Sequence, residues 1–304
     1  MLAISKTLNY YYCVEWVPSE KGPKILKYKK FLSKEIQDFP IDIISKIVKR
    51  FKPITISESN SVSFSINEKN VGISSINIDP QIDKIEYIKW YEDKILGKYF
   101  VSNYYTYYYP MKYDNTTLLM IHLKKEIKDN VLLSAQDCGY RLDNFGIDIF
   151  SANELAAKYS FSKQIKNYLL WKIDNNNHHY CIYNSKYNNS FNIDSILKFK
   201  ININKSSIDI IYNFGCEDIC KKILKLINEI FFEENNRVIS SPEQILLYQT
   251  KKDISLIKKL DQKNILNCEI LDISKGLFNE FYKKNKFEFL CYSEIGNSFR
   301  GIDV

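Results

Sequence analysis

The chain has 304 residues, room for two domains of about 150 each, and 45% of them are hydrophobic, which excludes wholesale disorder. Lys and Arg total 43 against 36 acidic residues. That net +7 reads as too small and too dispersed for a nucleic-acid-binding protein, whose basic groups gather on one face.

In chain order, apolar runs at 2–4, 10–17 and 25–31, punctuated by Pro18, Gly22 and Pro23, predict three strands. A helix over 41–51 follows, with Ile44, Ile47, Val48 and Phe51 on one stripe. Residues 54–110 read as an inserted α/β subdomain: strands at 62–66 and 71–78, a helix over 81–99, and a Tyr-rich strand at 104–109 stopped by Pro110. The main pattern then resumes with a buried strand at 118–123, a helix over 125–138 ended by Gly139, and a strand at 145–150. Ser151-Ala152-Asn153-Glu154 has the spacing of a capping box that opens a short helix.

The second half repeats the order. Strands are expected at 168–173, 178–183, 193–203 and 208–212, then a helix over 217–232, a strand at 245–248, a helix over 253–260 and a strand at 268–271. Two helical segments, 277–284 and 287–295, close the chain. Each half therefore reads β-β-β-α-β-α-β-α. Two ribonuclease-H-like halves in tandem are the outline of the actin-like fold, here an α/β fold with 1–160 as the first half (54–110 inserted) and 161–304 as the second.

Seven cysteines form no CxxC pair and read as small buried hydrophobes of a reducing compartment. The N-terminus is too soon polar for a signal peptide, and no run approaches the ~18 apolar residues of a membrane span. The expected location is cytoplasmic, with membrane contact through a partner. The basic clusters Lys27–Lys30 and Lys46–Arg50 read as the solvated sides of a strand and a helix, with anionic lipid headgroups as the functional alternative.

No constellation for catalysis or metal binding emerges. His178, His179 and Cys181 sit on one strand, where adjacent residues point to opposite faces and only His179 and Cys181 share one; two ligands do not make a metal site. Cys216 and Cys220 lie across the start of the 217–232 helix, without a histidine to activate a thiol. A two-metal nuclease needs carboxylates on its central strands, and the first strand has none. The tyrosines at 104–109 could stack bases, but in sequence only Lys112 is near; an exposed aromatic edge suits an added peptide strand better.

Four segments carry a family resemblance: LAISKTLNYYYCVEW (2–16), IEYIKWYEDKILGKYF (85–100), LLSAQDCGYRLDNFGIDIFSANELAA (132–157) and CYSEIGNSFRGID (291–303). They resemble the opening strands, insertion helix, central segment and closing segment of the PilM/MshI-like actin-like proteins of type IV pilus and related type II secretion platforms. The resemblance implies a bacterial scaffold that binds the cytoplasmic tail of a PilN-like inner-membrane protein in a groove beside the inserted subdomain. On this chain the groove residues would be Trp90, Tyr91, Ile95 and Tyr99, which as plain residues are also good core candidates. A homo-oligomeric ring is open to such a scaffold, and no nucleic-acid partner is expected.

The resemblance also shows what is missing. Actin-like ATPases hold phosphate in glycine-bearing loops, because a Cβ obstructs the approach of backbone N–H groups, and orient magnesium with aspartate. On this sequence the first loop has Ser5 for the Asp, Thr7 for the Gly and Tyr12 for the Lys. The second falls around Trp171 to Asn176, where one of the registers open to it places Asp174 correctly but puts Asn176 where the Gly belongs, and the adenosine turn falls near Gln249 and Thr250. Glycine is absent from 1–21, 147–214 and 216–275, which contain all three loops. The expectation is a degenerate nucleotide site, no cofactor and no enzymatic activity. The competing readings are a working actin-like ATPase and a nucleic-acid-binding protein using the Tyr/Lys surface.

Overall fold

The computed structural model describes residues 1–7, 9–17, 24–54, 60–110, 117–162, 164–165, 167–173, 178–187, 190–200, 244–249 and 268–271. The chain divides into two compact units, one containing Met1–Leu155 and a second beginning at Ala156. The strands predicted at 208–212 and the helices predicted at 217–232, 253–260, 277–284 and 287–295 lie outside the described residues.

The first unit contains strands β1 (Leu2–Lys6), β2 (Tyr10–Val17), β3 (Lys24–Leu32), β4 (Ser61–Ile66), β5 (Val71–Asn77), β6 (Tyr104–Pro110), β7 (Thr117–Lys124) and β8 (Arg141–Ile147). Its helices are α1 (Ser33–Ile36), α2 (Ile43–Phe51), α3 (Lys84–Leu96), α4 (Lys125–Asp137) and α5 (Asp148–Ser162), the last continuing into the second unit. Five strands form a sheet of order β3-β2-β1-β4-β8, antiparallel through β3-β2-β1 and parallel through β1-β4-β8. β1 is buried at all five positions because strands flank it on both sides. α2 buries Ile43, Ile44, Ile47 and Phe51, the apolar stripe of a 3.6-residue period.

The second unit has β9 (Asn167–Ile173), β10 (His178–Tyr187), β11 (Ser190–Lys200), β12 (Gln244–Gln249) and β13 (Cys268–Ile270) in the order β11-β10-β9-β12-β13. The strand directions repeat those of the first sheet: antiparallel through β11-β10-β9, parallel through β9-β12-β13. Two sheets of the same order and direction are the duplicated architecture predicted from the strand-helix order.

The inserted subdomain differs from its predicted bounds of 54–110. Its sheet is β5-β7-β6, antiparallel throughout. The strand at 61–66, expected inside the insertion, is instead the parallel partner of β1 in the large sheet. Its serines are as buried as its Val62, Phe64 and Ile66, because a central strand is covered on both faces. The strand at 117–124, expected in the large sheet, is the middle strand of the small one. An apolar run marks a strand as central without saying which sheet it is central to.

Two helix starts also move. α5 begins at Asp148, a turn before the Ser151 capping box, so residues 148–150 are helical and the preceding strand is Arg141–Ile147. α3 is shorter than 81–99: Asp83 accepts from the N–H groups of Ile85 and Glu86, and Gly97, at φ +79°, ends it.

Candidate functional site

Residues 5–12, where the resemblance puts the first phosphate loop, include the turn between β1 and β2. Ser5 is fully buried, paired in register with Tyr12 of β2 and Ser65 of β4. Both the N–H of Thr7 (2.9 Å) and its Oγ1 (3.1 Å) donate to the carbonyl of Tyr10. Thr7 thus spends both its donors inside the turn. Tyr12 is buried and stacked on Tyr28. Lys6 is buried, its Nζ donating to the Thr7 carbonyl and ion-paired at 2.9 Å with the exposed Asp38, with the Tyr11 ring centroid 5.2 Å away. Asp174, the one acidic remnant expected in the second loop, lies outside the described residues, as do Cys216 and Cys220. His178, His179 and Cys181 fall on β10, between β9 and β11. Among the described residues no three His, Cys, Asp or Glu side chains gather as metal ligands would.

The inserted subdomain offers a different chemistry. α3 seats on the small sheet through Tyr87, Ile88 and Tyr91, which pack on Ile76, Ile78, Leu118 and Met120. No residue of α3 is fully buried. Ile95, a turn beyond Tyr91 on the same face, is 43% exposed, and Tyr99 and Phe100 beyond Gly97 are 90% and 59% exposed. The apolar face of α3 therefore runs past the sheet that covers its first turns. Trp90 lies ~100° round the helix from Tyr91, 54% exposed, its ring 5.7 Å from Tyr87 and 5.0 Å from the Lys94 ammonium. The structure thus splits the four candidates: Tyr91 belongs partly to the core, while Trp90, Ile95 and Tyr99 are presented to solvent. With Ile82, Ile85 and Phe100, six of the ten large exposed hydrophobics among the described residues lie within 82–100, a concentration beyond scattered surface apolarity.

β6 borders this region as an edge strand of the small sheet. One face carries Tyr105 and Tyr107, which meet α4: the Tyr105 hydroxyl donates to Asp129 Oδ1 at 2.9 Å, and Lys128 Nζ donates to the Tyr107 hydroxyl at 3.1 Å. Sequence proximity offered these tyrosines only Lys112; the fold brings Lys125 and Lys128 over their rings. The other face meets α3, where the Tyr108 hydroxyl donates to Glu92; burial first, and then that acceptor, raises the phenol's pKa. His122 of β7 is buried there with its Nδ1 3.1 Å from Thr106 Oγ1 and its Nε2 without a hydrogen-bond partner among the described residues. Burial pushes its pKa below the ordinary value, and nearby Glu92 pulls partly the other way.

No protein-family model matches the chain, and no curated protein matches it in sequence. Solved structures do match in three dimensions. A PilM-PilN type IV pilus biogenesis complex aligns over 100% of this chain and 98% of that one, at 10% identity and a TM-score of 0.64. The cytoplasmic domain of EpsL, an inner-membrane component of the Vibrio cholerae type II secretion system, aligns over 96% and 98% at 10% identity and TM-score 0.48. An inorganic polyphosphate/ATP-glucomannokinase from Arthrobacter sp. strain KM aligns over 91% and 94% at 11% identity and TM-score 0.45. The first of these shows that the chain has a PilM-like actin-like fold.

Proposed function

We propose that this chain, with its PilM-like actin-like fold, is a non-catalytic scaffold of a type IV pilus or type II secretion-like assembly platform. Its inserted subdomain would hold the cytoplasmic tail of a PilN-like membrane-anchored partner, keeping the chain cytoplasmic and peripheral to the inner membrane. The observation that carries this is the cluster of exposed large hydrophobics at and after the end of α3: Ile95, a turn beyond the core-packed Tyr91, with Trp90 beside it and Tyr99 and Phe100 just past the Gly97 cap. Trp and Tyr side chains are enriched among the residues that anchor a bound partner. Full-length likeness to a complex of PilM with PilN supports the same partner class. No helix among the described residues is long and apolar enough to cross a membrane, so attachment would come from outside those helices.

The non-catalytic part rests on the closed first loop, where Thr7 satisfies Tyr10 rather than a ligand. The test is co-expression with a PilN-like membrane protein of the same genome, followed by affinity capture and calorimetry with Mg-ATP. Co-capture without a nucleotide heat is the expected result. A saturable heat at micromolar ATP, without capture, would replace the scaffold with an actin-like ATPase.

A further inference from the structure

Residues 24–52 contain nine lysines and arginines and three acidic residues, a net of +6 where the whole chain carries +7. In sequence they form separate clusters on a strand and a helix. In the fold they meet. Lys27 Nζ donates to the carbonyl of Lys52 at 2.5 Å, and Lys29 Nζ to that of Arg50 at 3.0 Å, so β3 lies along the C-terminal turn of α2. Both ammonium groups satisfy carbonyls that the helix end leaves open, at the negative end of its dipole. Lys29, Lys34, Lys49, Arg50 and Lys52 are all exposed around this junction, while Lys30, on the opposite face of β3, lies over Tyr10. Of the three acidic residues, Glu35 is paired with Arg50 at 2.8 Å, Asp42 with Lys46 at 3.0 Å, and Asp38 with Lys6. β3 is also the edge strand of its sheet, so no further strand covers it among the described residues.

Beside the patch stands an apolar side chain. Ile54, two residues beyond Lys52, is 62% exposed, and its backbone N–H is tied to Glu15 Oε2 at 2.7 Å. We propose that the β3/α2 face docks directly on a bilayer rich in anionic lipid, the lysines and Arg50 on headgroups and Ile54 at the acyl boundary. Anchored isoleucine beside clustered lysine suits a surface that is anionic outside and hydrocarbon beneath. A nucleic-acid backbone would gain nothing from Ile54. This attachment is the chain's own and does not depend on a partner tail at α3.

The experiment is flotation of the full purified chain with vesicles of phosphatidylcholine alone or with about 30% phosphatidylglycerol, at low and high salt. Each basic group near an anionic surface contributes ~1 kcal/mol, about fivefold in partitioning. Flotation is expected only with the anionic vesicles, lost as salt screens the charges, and weakened at least ~25-fold by Lys49→Glu with Lys52→Glu. Ile54→Ser should weaken it several-fold at unchanged thermal stability, a readout that survives if the charge-reversed variant misfolds. Equal flotation with neutral vesicles, or unchanged flotation of the folded charge-reversed variant, overturns the proposal. So does a DNA duplex that displaces the chain from vesicles at equal phosphate concentration, since that would make the face a nucleic-acid surface.

Discussion

Glu68 Oε1 accepts a hydrogen bond from the backbone N–H of Ile149 at 2.7 Å, across 81 residues of sequence. Both residues are fully buried, and the bond satisfies an N–H in the first turn of α5, where the helix has no carbonyl partner of its own. Glu68→Ala leaves that donor unpaired in the core and should cost about 1–3 kcal/mol. Glu68→Gln retains an acceptor and should cost less. Urea midpoints for the two variants check this; equal midpoints for Glu68→Ala and the parent would show that α5 does not rely on Glu68.

Trp90→Ala and Tyr91→Ala should behave differently, although the residues are adjacent. Trp90 is exposed, so its loss should leave stability within about 0.5 kcal/mol and weaken partner capture by about 1–3 kcal/mol. Tyr91 packs on the Ile76–Met120 cluster, so its loss should lower the melting temperature whether or not a partner is present. Ile95→Ala and Tyr99→Ala should follow Trp90. Full-strength capture by a folded Trp90→Ala/Ile95→Ala variant would remove α3 as the docking site.

The unmodified protein should give no saturable heat with millimolar Mg-ATP. Ser5→Asp with Thr7→Gly should stay inactive and should also melt lower. The first change inserts a carboxylate into a fully buried site between β2 and β4, and the second deletes the Thr7 Oγ1 bond to Tyr10. Calorimetry and thermal melting on the same samples read both outcomes.

His122 should make the first unit less stable as pH falls. Its folded pKa lies below the ordinary 6.5, so beneath pH 6.5 the unfolded chain takes up a proton that the folded chain resists. Its neutral form is no handicap above that pH; the penalty grows from there down to the folded value and is then complete. Glu92 and Tyr108 face the same site and are kept in the comparison. The fall in urea midpoint between pH 7.5 and 5 should be steeper for the parent than for His122→Gln. Parallel slopes would show that the imidazole titrates as it does in water.

The amino-acid sequence by itself determined the strands described in both halves, the alternation of strands and helices in the first, and the amphipathic stripe of α2. These are local periodicities, set by which side chains share a face two or 3.6 residues apart. It also marked β4 and β7 as strands, but their sheets were decided only by folding, because pairing joins residues such as Leu2 and Val62 that no local pattern links. The helix starts follow the same division. Asp83 caps α3 from its own neighbourhood and could be read from sequence, whereas Glu68 reaches α5, and Ser134 Oγ accepts from the Ile44 N–H of α2 at 2.9 Å across 90 residues. The α3 helix was visible as a candidate site, but which of its aromatics face solvent depended on where the small sheet ends beneath it. The two basic clusters were visible as well, and only the packing of β3 along the end of α2 made them one surface. Charge and apolarity belong to residues; the surfaces they form belong to contacts between segments far apart in the chain.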